Sequence, residues 1–214
     1  MRKGFDQQLE QLHQELTAMG AMCQEAIAAG AAALLAHDQL MADTAIALEA
    51  EIDRQEREIE SLCMRLLLRQ QPVARDLRAV SSALKMIGDM ERIGDQAADI
   101  AEISRHLGPG CPLPGQLHIR EMAQAAATMV DGSVEAFVKK DLQAAQNVIQ
   151  YDDIVDELFV RVKDELTDLI RQDAAGAGEA LELLMAAKYL ERIGDHAVNL
   201  AERVTYSITG KAGA

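Results

Sequence analysis

The chain has 214 residues, room for one or two compact domains, and is 49% hydrophobic but only 3% aromatic, with no Trp. A core rich in Ala, Leu, Ile and Met and poor in rings suits closely packed helices; sheets favour β-branched and aromatic side chains. A formal charge of −14 and a pI of about 4.7 repel phosphate backbones and anionic headgroups, which argues against nucleic-acid binding and direct membrane insertion and leaves cations or a basic partner face as the species attracted.

Apolar residues recur at three- and four-residue spacing through most of the chain. Phe5, Leu9, Leu12, Leu16, Met19, Cys23 and Ile27 predict a first helix running to about residue 36. Its longest apolar run, 26–36, has about half the length a bilayer span needs. The opening MRKGFDQQLEQL lacks the apolar stretch of a secretory signal, so the expected location is the cytoplasm. Cys23, Cys63 and Cys111 form no C-x-x-C pair and fit a reducing compartment, the first two as small core residues. Asp38 opens a second helix, carried by Ala45, Leu48, Ile52, Ile59, Leu62 and Leu66 to residue 69, and Pro72 breaks it. A third follows through Leu77, Leu84, Ile87, Ile93, Ile100 and Ile103 to about Leu107. Then GPGCPLPG places three Pro and three Gly in eight residues, which no helix tolerates. Helices resume over about 116–140, 141–171 and 179–207, with a turn at DAAGAGE. The expected fold is all-α: one three-helix bundle over 1–107, a linker over 108–115, and a second bundle over 116–214.

The halves repeat. ERIGD occurs at 91–95 and again at 191–195, and around it Leu84 matches Leu184, Ala97 matches Ala197 and Ala101 matches Ala201, all at an offset of 100. In the preceding helix the register is 103, pairing Asp38 with Asp141, Ala42 with Ala145 and Leu66 with Leu169. The difference falls in the loop, where repeats commonly diverge.

That register aligns acidic pairs. Glu49 and Asp53 fall on Asp152 and Asp156, and Glu91 and Asp95 fall on Glu191 and Asp195. Carboxylates at i and i+4 share a helix face, and like charges there destabilise a helix by a few tenths of a kcal/mol unless neutralised. Two pairs on facing helices could bridge metal ions roughly 3.5–4 Å apart. All-oxygen ligation suits Mg²⁺, Ca²⁺, Mn²⁺ or iron. Asp99 and Asn199 extend the ladder by one turn. The competing reading is a solvated face paired to arginine, with Arg92 and Arg192 beside the motifs. Gly94 and Gly194 sit mid-helix at a cost of about 1 kcal/mol each, permitting close approach of a helix or a ligand.

Taken together, FDQQLEQLHQEL, RQQPVARDLR, EAEID, DDIVD and both ERIGD segments with their tails DQAADIAE and DHAVNLAE resemble the PhoU family of phosphate-signalling regulators over nearly the whole chain. The resemblance implies two tandem three-helix bundles, assembly as homodimers, and metal clusters on Glu49, Asp53, Glu91, Asp95, Asp152, Asp156, Glu191 and Asp195, with Asp99 and Asn199 carried over less surely because Asn199 weakens the second site. It implies regulation without catalysis: an adaptor between the ATPase subunit of a phosphate transporter and a sensor histidine kinase, restraining both when phosphate is plentiful. Arg75 and Arg78 could contact such a partner; a structural loop tied by Asp76 salt bridges is the alternative. Two other readings compete. A ferritin-like di-metal enzyme wants two Glu-x-x-His motifs, and only Glu10–His13 fits. A metal-free helical scaffold would leave the acidic pairs without ions.

Overall fold

The protein's structure, a computed structural model, describes residues 2–108, 118–172 and 174–211. Six α-helices carry it: α1 Arg2–Ala36, α2 Gln39–Gln70, α3 Arg75–His106, α4 Ile119–Lys139, α5 Leu142–Gln172 and α6 Ala177–Thr209. Most of the expected linker, including Cys111 and its three prolines, lies outside the described residues.

Helix ends differ from the sequence expectation in one informative place. DAAGAGE is not a long turn: a single 3-10 turn covers Ala174–Gly176 and α6 begins at Ala177. Gly178 therefore sits in the first helical turn. Its propensity cost, about 1 kcal/mol, is outweighed by burial of Ala180 and Leu183 just beyond it.

The duplicated sequence builds a duplicated joint. His37 and Lys140, at the 103 offset, each take a left-handed conformation, with φ of 51° and 56°. The next residue, Asp38 or Asp141, returns its N–H to Ala33 O or Ala136 O and caps the following helix. Asp38 Oδ1 accepts from Leu40 N and Met41 N; Asp141 Oδ1 accepts from Ala144 N. Asp38→Ala is expected to cost about 1 kcal/mol. Thermal unfolding should show it as a drop in Tm of about 2–4 °C.

Packing joins the two triads more closely than two beads on a string. Helices α1–α3 pack together, as do α4–α6, but α3 also runs along α6 and α1 along α4. One apolar core therefore extends through both halves, from Leu12, Ile27 and Met90 to Val130, Leu190 and Val204. A small alanine cluster of Ala29, Ala33, Ala42, Ala45 and Ala101 closes one end of the first triad. By length and composition α1 could pass for a membrane span, yet more than half of that stretch is buried in the bundle. Cys23 and Cys63 are core residues; burial pushes both thiols up to about 12, and Cys23 Sγ donates to Met90 O at 3.4 Å.

Candidate metal centre

The first acidic set is assembled by the seam between α2 and α3. Glu49 and Asp53 lie one turn apart on α2, and Glu91 and Asp95 one turn apart on α3. Gly94 lets the helices close: a Cβ there would lie 3.0 Å from Ile52 Cδ1, and Ile52 is fully buried. The carboxylates flanking that contact are thereby drawn together. Glu49, Asp53 and Asp95 each bring an oxygen within 4.8 Å of the others.

Electrostatics register the crowding. Burial, then the charges of Asp53 and Asp95, raises the Glu49 carboxyl above its ordinary value. Burial and then Asp95 raise Glu91, while Arg92 opposes them. Arg92 Nε lies 3.4 Å from Glu91 Oε2, and its Nη1 donates to Asp95 Oδ2 at 3.2 Å. The arginine partner that the sequence offered as an alternative is therefore present, and it neutralises only part of the cluster. An all-oxygen, under-neutralised donor set of this kind fits a hard cation.

The second set repeats the plan with one change. Asp152 is pushed up to about 6, by burial first and then by Asp156, Asp195 and Glu191. Asp195 is raised by burial and by Glu191, with Lys188 and His196 pulling the other way. Here the mid-helix glycine makes room for a carboxylate itself, since a Cβ on Gly194 would meet Asp152 Oδ1 at 3.0 Å. The change is Lys188, whose counterpart in the first half is Gly88. Its Nζ sits 2.5 Å from Glu191 Oε2 and 5.4 Å above the Phe159 ring.

Asp99 and Asn199 do not extend the clusters as a ligand ladder. Both face the seam between α3 and α6. Tyr189 hydrogen-bonds to Asp99, whose carboxyl is nevertheless raised by burial and by the nearby charges of Glu102 and Asp95. Asn199 Nδ2 donates to Asp89 Oδ1 at 3.1 Å, and His196 Nδ1 lies 3.0 Å from the same oxygen. Asp89 and Tyr189 were not singled out in the sequence. The sign was their register: 89 pairs with 189 as 99 pairs with 199, so each acid meets the other half's polar residue across the seam between α3 and α6.

Arg78 has a structural task. Its Nε donates to Ser207 O at 3.4 Å, and its guanidinium packs against Gly210 at the C-terminal end of α6, where a cation complements unpaired carbonyls. Asp76 makes no ion pair among the described residues, whereas Arg75 stands exposed on the first turn of α3. His13 is buried edge-on against Phe137, ring centroids 5.9 Å apart, and burial lowers its pKa. The group that could hold a metal among the described residues, Glu49, Asp53 and Asp95, does not include this Glu-x-x-His motif.

Comparison with known proteins agrees with this architecture. The PhoU domain family matches twice, over residues 16–104 and 119–204. A phosphate-specific transport system accessory protein PhoU homolog of Clostridium acetobutylicum is 37% identical over 217 residues, covering 98% of this chain and 96% of that protein. The homolog of the same name from Synechocystis is 38% identical over 212 residues, 98% of this chain and 93% of that one. The crystal structure of PhoU from Pseudomonas aeruginosa superposes with a TM-score of 0.90 at 33% identity, covering 97% of this chain and all of that one. The phosphate transport system regulatory protein PhoU from Streptococcus pneumoniae gives 0.88 at 27% identity, with 98% and 99% covered.

Proposed function

This chain belongs to the PhoU family, and on that premise we propose that it is a non-enzymatic accessory protein of phosphate-specific transport. It acts in the cytoplasm as a homodimer, linking the ATPase subunit of a phosphate transporter to a sensor histidine kinase. With phosphate plentiful it restrains uptake and holds the kinase in its non-signalling state. Exposed Arg75 belongs to the partner-facing surface.

The observation that carries the reading is the match of both halves to named accessory and regulatory proteins, joined to the convergence of Glu49, Asp53 and Asp95. Glu49, Asp53, Glu91 and Asp95 would hold divalent or trivalent cations in the first half, and Asp152, Asp156, Glu191 and Asp195 in the second. Iron, manganese, magnesium or calcium would each suit the oxygen donors. Such an ion supplies the positive charge that the clusters lack and locks α2 to α3 and α5 to α6.

The regulatory reading is tested with a phosphate-starvation reporter in phosphate-replete cells. Deleting the gene is expected to switch the reporter on, and wild-type protein to silence it. A deletion strain that stays silent, with no second copy of the gene, would refute the reading. Complementation with Glu91→Ala/Asp95→Ala then reports whether the cluster serves signalling.

Lys188 compensates Glu191 in the second set as Arg92 compensates Glu91 and Asp95 in the first. Lys188→Gln should tighten the second site by up to about tenfold in a calorimetric titration. An unchanged second-site affinity in Lys188→Gln would contradict this.

A further inference from the structure

The two halves differ sharply on one pair of equivalent faces. In the first half a groove of about 760 Å³ opens between α2, α3 and α6, and its wall carries Arg57, Lys85, Arg92, His196 and Arg203. On a chain of charge −14 such a gathering calls for an explanation. At the repeat offsets of 103 and 100, Arg57 corresponds to Val160, Lys85 to Met185 and Arg203 to Ile103. The mirror face gains one cation, Lys188 in place of Gly88, but that lysine is paired with Glu191, whereas Arg57, Lys85 and Arg203 have no cationic counterpart there.

The acids of the groove do not cancel these cations. Arg92 is engaged by Glu91 and Asp95, and Asp89 by His196 and Asn199. Asp53 borders the groove but also brings an oxygen into the carboxylate cluster. Arg57, Lys85 and Arg203 have no ion pair among the described residues, and Arg203 Nε is buried without an acceptor there. Glu56 is the remaining acid in the wall. Guanidinium forks with an ammonium beside them match oxyanions. The groove falls within the size range of small-ligand sites and is far larger than one ordered water or halide would need. Apart from Gly88 its lining side chains are all ionic or imidazole, so it offers no apolar platform for a nucleobase.

We propose that this groove binds a compact, multivalent oxyanion of the orthophosphate and pyrophosphate class. Arg57, Lys85 and Arg203 supply the charge-assisted hydrogen bonds. Asp53 and Glu91 of the carboxylate cluster border the groove, but Arg57, Lys85 and Arg203 are not among the proposed metal ligands, so binding is tested without metal.

Equilibrium dialysis of the full chain against radiolabelled pyrophosphate, in buffer freed of divalent cations, tests it. One saturable site per chain is expected, weakened about tenfold or more in Lys85→Gln and in Arg57→Gln, and unchanged in Arg192→Gln on the mirror face. Lys85 and Arg57 are exposed, so their variants keep the core intact; matching Tm values confirm it. Absence of saturation below about 1 mM, or equal weakening in Arg192→Gln, overturns the proposal.

Discussion

Replacing Gly30 with alanine is expected to lower Tm by about 4–8 °C, a net loss of roughly 2 kcal/mol for a chain of this size. A Cβ at Gly30 would lie 2.7 Å from the backbone oxygen of Ala97, and neither helix can yield without disturbing the core around it. Overpacking of this kind costs about 1–3 kcal/mol, here at the upper end because the obstacle is backbone; alanine's better helix propensity returns about 1 kcal/mol. The second half meets the same demand differently. Ser133, at the 103 offset, donates its hydroxyl to Ala197 O at 3.0 Å, so α4 stands far enough from α6 to admit a side chain. Gly88→Ala is the control: nothing lies within 4 Å of its Cβ, and a gain of up to about 1 kcal/mol is expected. If both variants shift Tm in the same direction, the contact between α1 and α3 is not as close as the structure has it.

Asp152→Asn is expected to stabilise the metal-free protein at pH 7 and to abolish the benefit of added metal at the second site. The folded state holds the Asp152 carboxyl up to about 6, against an ordinary value of 3.8, by burial and by the charges of Asp156, Asp195 and Glu191. Above about pH 6 the group is therefore charged at a cost to the fold. As pH falls through that window the folded state takes up its proton first, and stability is gained. Because the carboxyl is half exposed, solvent screening reduces the effect to on the order of 1 kcal/mol. His13 has the opposite sign: burial lowers its pKa, so its contribution is lost as pH falls below 6.5. Denaturant unfolding between pH 7 and 5, in chelator, should show a wild-type gain that shrinks in the variant. With Mn²⁺ present at pH 7 the order should reverse, wild type becoming the more stable. A variant that is less stable than wild type in chelator would show that Asp152 is stabilised by a group of the protein and not by a metal ion.

Much of this molecule could be read before any coordinates. Periodicity, proline placement and the absence of Trp determined six long helices, because a helix face must bury its apolar stripe and proline cannot sit inside the hydrogen-bonded ladder. The two offsets determined the repeat, and the i, i+4 spacing placed each acidic pair on one face of its own helix. Tertiary structure alone decided the rest. The fusion of the two triads through α3 and α6 depends on which of two possible stripes meets the other half, and one helix's sequence does not encode that choice. The same seam took Asp99 and Asn199 away from the clusters, giving them Tyr189 and Asp89 as partners from the opposite half. The fate of Arg78 turned on where α6 ends, about 130 residues further along the chain. Lys188, rather than Asn199, distinguishes the second site from the first, because its reach to Glu191 and Phe159 exists only once α5 lies against α6. Local spacing determines which side chains share a helix face, but the pairing of faces is fixed by the packing of a core drawn from the whole chain.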